Sequence, residues 1–292
     1  MNRSSVRWAE LRPDEFRERM AACPVVYLPL GLCEPHGHVA ALGLDLIKAD
    51  YYCDEAARRF GGIVAPSQGY HIHECGFHAP WLGEVVGEEN PFMAAIPPHV
   101  MARMFLYQIR AFTNTGFRAI VAISGHSGGS QEDLRRVAAA FSDCTGIPVL
   151  MKTDPELVSG KFTGDHAGRY EISQLLAIRP ELVDLSLINR RHEVNSGGRL
   201  AQGDDAAEAT IEDGRAINEA ILLAIGDAIS DLLRGYEDHP PAPLLTHADA
   251  ESIWTQLGGD AGPWVSNSLK PGQRPVASDS RWKQTLIPNQ PS

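Results

Sequence analysis

The stretch "FRAIVAISGHSGGSQEDLRRVAAAFSDCTGIPVLM", from Phe117 to Met151, decides the fold. "FRAIVAIS" is apolar and β-branched and stops at Gly125, the signature of a buried strand. The turn "GHSGGS" follows, then a helix over "QEDLRRVAAAFSDC" and another strand over "IPVLM". A strand–helix–strand order indicates parallel pairing, because parallel neighbours need a crossover rather than a hairpin. The pattern recurs upstream. "CPVVYLPL" (Cys23 to Leu30) reads as a strand ending at Gly31, and a helix from Asp45 through "LIKADYYCDEAARRF" stops at Gly61 and Gly62. "IVAP" is a further strand, and "PHVMARMFLYQIRAFTNTG" is a helix with Pro98 near its start and Gly116 just past its end. Downstream, "GRYEISQLLAI" reads as a helix ending before Pro180, and "AAEATIEDGRAINEAILLAIGDAISDLLRG" as one long helix or two short ones. The expected class is α/β with a mostly parallel sheet.

The chain has 292 residues, 43% of them hydrophobic, enough for a substantial core. A net charge of -11 without a basic, aromatic-interleaved run argues against nucleic acid as a partner. No apolar run approaches the roughly 20 residues of a bilayer span, so no membrane partner is expected. The N-terminus mixes acids with bases and lacks an apolar signal core, and the five cysteines show no CxxC spacing. Reduced thiols in a cytoplasmic protein are the expectation. Residues 67–98 are rich in Gly, His and Pro without a clear period, and a loop of that length is usually functional or lies at an interface. From Asp238 the chain turns Pro-rich and polar but keeps Trp254, Trp264 and Trp282, which suits an arm docked on its own or a neighbouring subunit. The expected organisation is one domain over residues 1–237 and an arm over 238–292.

Three segments hold chemistry-bearing residues just past strand ends, where an open α/β sheet builds its sites. The first is "LPLGLCEPHGHVAALGLD", Leu28 to Asp45, with Glu34, His36 and Asp45. The second is "SGHSGGS" with His126, and the third is "GDHAGRYE" with His166 and Glu171. Parallel strand ends share one sheet edge, so these distant residues can converge. Glu34 and His36, two apart, share a side of an extended segment. Carboxylate with imidazole suits Zn²⁺, Mn²⁺ or Fe²⁺ better than Mg²⁺ or Ca²⁺. Two divalent ions with a bridging hydroxide would neutralise Glu34, Asp45 and Glu171, whereas one ion would leave a single negative charge.

These residues resemble the creatininase (creatinine amidohydrolase) family. A Glu-x-His-Gly motif closing on Leu-Gly-x-Asp is matched by Glu34-Pro35-His36-Gly37 and Leu42-Gly43-Leu44-Asp45. A Gly-Phe-Arg strand start leading to an Asn-Gly-His-Gly-Gly-Asn turn is matched by Gly116-Phe117-Arg118 and by Ser124 to Ser130. A His-Ala-Gly-x-x-Glu helix start followed by Arg-Pro-Glu-Leu-Val is matched by His166 to Glu171 and Arg179 to Val183. The resemblance spans about residues 8–235 and implies a three-layer α/β/α sandwich, a two-metal centre, hydrolysis of non-peptide or cyclic amides, and a homohexamer. It implies that Glu34, Asp45 and His126 bind one ion, with Asp45 bridging to a second ion also held by His36 and Glu171. The expected ions are Zn²⁺ and/or Mn²⁺, with Fe²⁺ compatible.

The departures from the family pattern matter. Ser124 and Ser130 replace the two asparagines, Gly128 stands where creatininase has an acid, and His38-Val39 replaces Pro-His. Arg169, where many members have an acid, points to an anionic substrate, and His73 and His78 are further expected substrate contacts beside His71. Creatinine itself is not strongly supported, because the acid two residues after His126 is missing and the loop over residues 67–98 diverges; formamides, lactams, peptide-tail amides and cyclic ureides stay open. The expected reaction is cleavage of a small-molecule C–N bond by the metal-bridging hydroxide, with His166 as general acid because imidazole titrates near neutrality. Two alternatives stay open: a Lewis-acid isomerase or dehydratase acting on a polar small molecule, and a non-catalytic binding or structural oligomer.

Overall fold

The computed structural model describes residues 5–73, 92–128, 130–236, 244–268 and 279. In chain order these form α1 (Pro13–Ala22), β1 (Val25–Leu30), α2 (Leu44–Phe60), β2 (Ile63–Val64), α3 (Pro98–Thr115), β3 (Ala119–Ser124) and α4 (Ser130–Thr145). There follow β4 (Val149–Thr153), α5 (Asp154–Leu157), α6 (Arg169–Ile178), α7 (Ile211–Leu232) and α8 (His247–Gln256). The strands lie in the order β2-β1-β3-β4, and every pairing is parallel. Both central strands, β1 and β3, are buried along their whole length, which is why they read as unbroken apolar runs.

Strand alternation sorts the helices into two layers. Val26, Leu28 and Leu30 of β1, with Ile120 and Ala122 of β3, face Met101, Phe105 and Ile109 of α3 and Leu134 and Val137 of α4. Val25, Tyr27, Val121 and Ile123 point the other way, against Tyr52, Cys53 and Ala56 of α2 and Ile217, Ile221 and Ile225 of α7. The result is a three-layer α/β/α sandwich.

Several boundaries differ from those expected. The strand at Ile63 stops at Val64, ahead of Pro66, which has no N–H for a ladder. β4 begins at Val149 because Pro148 contributes only its carbonyl, accepting from the Ile120 amide. The segment from Ala206 opens with a short 3-10 turn over Ala206–Glu208. Then α7 runs as a single helix, with the Thr210 side chain accepting from the Asp213 amide at its start. Gly214 in α7 lies against α6, where a Cβ would come within 1.8 Å of the Ser173 carbonyl oxygen.

Past the undescribed residues 237–243, α8 packs onto the α3 and α4 side. Leu245, Ile253, Trp254, Leu257 and Trp264 join the core cluster there. Trp254 and Trp264 stack at 5.3 Å, and the buried Asp133 carboxylate accepts from the amides of Val265 and Ser266. Trp282 lies outside the described residues. No described helix is long and apolar enough to cross a membrane.

Candidate metal centre

The two central strands end side by side, Leu30 opposite Ser124, and the Gly125 amide donates to the Leu30 carbonyl. The first turn of α2 is wedged against both ends. A Cβ on Gly31 would stand 2.4 Å from the Leu46 amide nitrogen, and one on Gly125 would stand 2.0 Å from the Asp45 carbonyl oxygen. Two glycines thus let backbone meet backbone and seat Asp45 at the sheet's carboxyl edge. Asp45 lies in the first turn of α2 and Glu171 in the first turn of α6, where helix dipoles favour negative charge.

The expected ligands converge there. The ligand atoms of Glu34, Asp45 and His126 lie within 4.8 Å of one another, and so do those of His36, Asp45 and Glu171. All five side chains are buried, and Asp45 belongs to both sets. His126 Nδ1 donates to Glu34 Oε1 at 2.8 Å and lies 3.3 Å from Asp45 Oδ2. His36 Nε2 lies 3.1 Å from Asp45 Oδ1 and 3.6 Å from Glu171 Oε2. His36 Nδ1, 3.0 Å from the Glu34 carbonyl, must donate to it, and this turns Nε2 toward the carboxylates of Asp45 and Glu171. Ser124 holds His126 from behind: its Oγ donates to the His126 carbonyl and accepts from the His126 amide.

The electrostatics call for positive charge. Burial alone would depress His36, but Asp45, Glu171 and Glu34 more than reverse this and raise its pKa to about 9. His126 is raised to about 10 against its own desolvation by Glu34 and Asp45. Desolvation would push Glu34 up, but His126 holds its carboxyl down at about 2. Asp45 is likewise held well below the usual carboxylate range against its burial, chiefly by His36. The buried His126 Nε2 and Asp45 Oδ2 make no hydrogen bond among the described residues. Buried carboxylates and imidazoles aimed at one point fit a pair of borderline divalent ions.

The other expected site residues fare unequally. His166 is exposed, packs its ring 4.9 Å from that of His36, and donates from Nε2 to the Pro35 carbonyl. With Glu34 and His36 it forms a third grouping within 4.8 Å. His73 is buried beside the cluster, with Nε2 3.7 Å from Glu34 Oε2 and its ring stacked on His126. His71 is fully buried. Its Nδ1 accepts from the Ile72 amide and its Nε2 lies 3.3 Å from Ser124 Oγ, while burial and His126 push its pKa down to about 3. It stands as a neutral support behind the Ser124–His126 corner. His78 lies outside the described residues.

Arg169 does not join the cluster. Its half-exposed guanidinium bonds Asp213 at 2.8 Å and approaches Glu208 at 3.7 Å. His38 turns away to Ser196, at 2.9 Å. Asp165 spends its carboxylate on the amides of Gly168, Tyr170 and Glu171, so Glu171 is the acid that faces His36. Sequence reading missed Lys48 and Asp154. Lys48 is wholly buried one turn after Asp45, with Nζ 2.7 Å from Glu171 Oε1 and 3.4 Å from Asp154 Oδ1. The available signal was a lysine inside the apolar stripe of "LIKADYYC".

Known proteins resemble this chain in sequence and fold. A creatinine amidohydrolase from Pseudomonas putida is 26% identical over 272 residues, covering 81% of this chain and 98% of that protein. A 3-dehydro-scyllo-inosose hydrolase from Thermotoga maritima is 28% identical over 185 residues, covering 58% of this chain and 55% of that protein. Two solved creatininase structures, a mutant of Zn-Zn type and a Mn form, are each 24% identical. They superpose with TM-scores of 0.61 and 0.60, each covering 78% of this chain and 98% of the other. The family model described as creatinine amidohydrolase matches residues 9–229, and the chain belongs to the creatininase family.

Proposed function

We propose that this chain is a metal-dependent hydrolase that cleaves a C–N bond of a non-peptide or cyclic amide. The observation that carries the reading is the pair of buried ligand sets that share Asp45. Glu34, Asp45 and His126 would hold one divalent ion, and His36, Asp45 and Glu171 a second. The Zn-Zn and Mn forms of creatininase support zinc or manganese. When bound, such ions supply Lewis acidity and lower the pKa of water toward 7.

The protein groups supply the rest. The Glu34 carbonyl fixes the His36 tautomer, and Ser124 with His71 fixes His126. His166 offers the proton on Nε2, shared with the Pro35 carbonyl at the exposed side of the cluster, to a departing nitrogen. His73, beside Glu34, is the substrate contact this reading retains, and a homohexamer in the cytoplasm is its assembly and setting.

The test is metal analysis of the purified protein, then a panel of lactams, formamides and cyclic ureides followed by product mass. Hydrolysis adds one water, isomerisation adds nothing and dehydration removes one. Turnover with His166→Ala should fall by about 10²–10⁴-fold at unchanged metal content. Absence of stoichiometric metal, or full activity in that variant, would overturn the corresponding part. The relative named for hydrolysis of an inosose motivates a second reading, hydrolysis at a non-amide cyclic carbonyl, so cyclic ketones belong in the same panel.

A further inference from the structure

Lys48 is the residue that the ligand sets do not explain. It follows Asp45 by three positions on α2, so it lies one turn further along the same face. Its neighbours on that face, Ala49, Tyr52 and Cys53, are buried with it. A charge taken wholly out of water is costly unless it is paired, and here both partners are carboxylates. The ammonium donates to Glu171 Oε1 at 2.7 Å and lies 3.4 Å from Asp154 Oδ1. Asp154 is itself anchored, its Oδ2 accepting from Tyr170 Oη at 3.1 Å and Gln174 Nε2 at 2.8 Å. Gln174 also donates to Tyr52 Oη, and Tyr52 donates to Asn218. A buried polar network spanning α2, α5, α6 and α7 therefore ends on one oxygen of Glu171.

The other oxygen is held differently. Glu171 Oε2 accepts from the Ala167 amide at 2.9 Å and faces His36 Nε2 at 3.6 Å. Ala167 reaches this position with φ of 50°, in the left-handed region that alanine seldom adopts. One carboxylate oxygen is thus committed to an ammonium, and only the other is presented to His36 and Asp45.

We propose that Lys48, backed by Asp154, is a positioning residue that makes Glu171 a one-oxygen ligand of the ion held with His36 and Asp45. The assignment rests on the two-ion reading above. Partners on the outer oxygen of a ligating carboxylate fix its direction, and removing them typically costs about 10–100-fold in metal affinity. The site built from Glu34, Asp45 and His126 has no contact with Lys48 among the described hydrogen bonds and ion pairs, so the effect should fall on one ion of the pair.

The experiment is calorimetric titration of Mn²⁺ or Zn²⁺ alone into the chelator-treated full-length chain, comparing wild type with Lys48→Met and Lys48→Arg. Two ions should bind wild type. Lys48→Met should weaken one of them by about 10–100-fold and leave the other unchanged, and Lys48→Arg should recover part of the loss. A purely structural ion pair would lower the melting temperature of the variant without separating the two affinities. A wild type that binds fewer than two ions overturns the two-ion reading and this assignment with it. Two ions with an unchanged affinity ratio in Lys48→Met overturn the assignment alone. Should neither variant fold, a crystal structure of the Mn²⁺-loaded wild type decides. One Glu171 oxygen on the ion with Lys48 on the other supports the proposal, and both oxygens on the ion overturn it.

Discussion

His36 and His126 carry the pH dependence expected of the site. Carboxylates outweigh their desolvation and raise them to about 9 and about 10, so both hold protons near neutrality when the protein groups stand alone. An imidazole ligates only when the ligating nitrogen has lost its proton, so ion binding must expel one proton from each ring. Apparent affinity should therefore rise with pH up to about 9–10 and level off above it. Calorimetry near pH 7 in buffers of different ionisation enthalpy would measure the released protons. A heat independent of buffer would contradict this account. At this scale the sequence was informative wherever spacing constrained direction. Glu171 and Arg169 are two apart on one helix, about 200° around it, so turning the acid inward turns the arginine outward. The helix period contained that divergence, although Arg169, standing where many family members have an acid, was expected to meet an anionic substrate. Lys48 was less legible, because a lysine on an amphipathic helix looks the same in sequence whether solvent or Glu171 receives its ammonium.

At the scale of elements, the site depends on how closely α2 approaches the ends of β1 and β3. Gly125→Ala would force a Cβ onto the Asp45 carbonyl, where backbone rather than a flexible side chain must move. We expect a loss of about 1–3 kcal/mol in chemical denaturation together with weakened metal binding, since Asp45 serves both ligand sets. Gly116→Ala makes the control. That glycine closes α3 at φ of 110° with nothing within 4 Å of the added methyl, so it should cost about 1 kcal/mol and spare metal affinity. Equal metal loss in both variants would show that general destabilisation, not the displacement of Asp45, is responsible. The strands and helices themselves were readable because buried parallel strands are apolar runs and the helices carry Pro and Gly at their ends. Their exact limits were not, as Pro66 and Pro148 show: a proline keeps its apolar character while withdrawing an N–H from the ladder.

For the whole molecule, residues 244–268 pack into the core on the α3 and α4 side. Trp264 is almost fully buried, stacks on Trp254 and lies under the Arg136 guanidinium. Trp264→Ala should destabilise the chain by about 3–5 kcal/mol, measurable by urea unfolding, without changing metal stoichiometry in the folded protein. A change under about 1 kcal/mol would mean that this segment is only loosely held. Trp254 and Trp264 pointed to docking in the sequence, but the surface they cover, formed by α3 and α4, could be identified only in three dimensions.

What the sequence determined by itself is the α/β class, the strand-end placement of the motifs after β1 and β3, and the identity of the five side chains that converge; the third motif opens α6, with α5 between it and β4. Those follow from local physics: apolar runs make buried strands, glycines permit tight turns, and parallel strands bring their carboxyl ends to one edge. Tertiary structure alone decided which of the neighbouring charges take part. Lys48 and Asp154 lie against Glu171 because α2, α5 and α6 pack together there, and Asp165 is withdrawn because three backbone amides claim it. Burial and partnership are properties of packing, and no spacing along a chain encodes them.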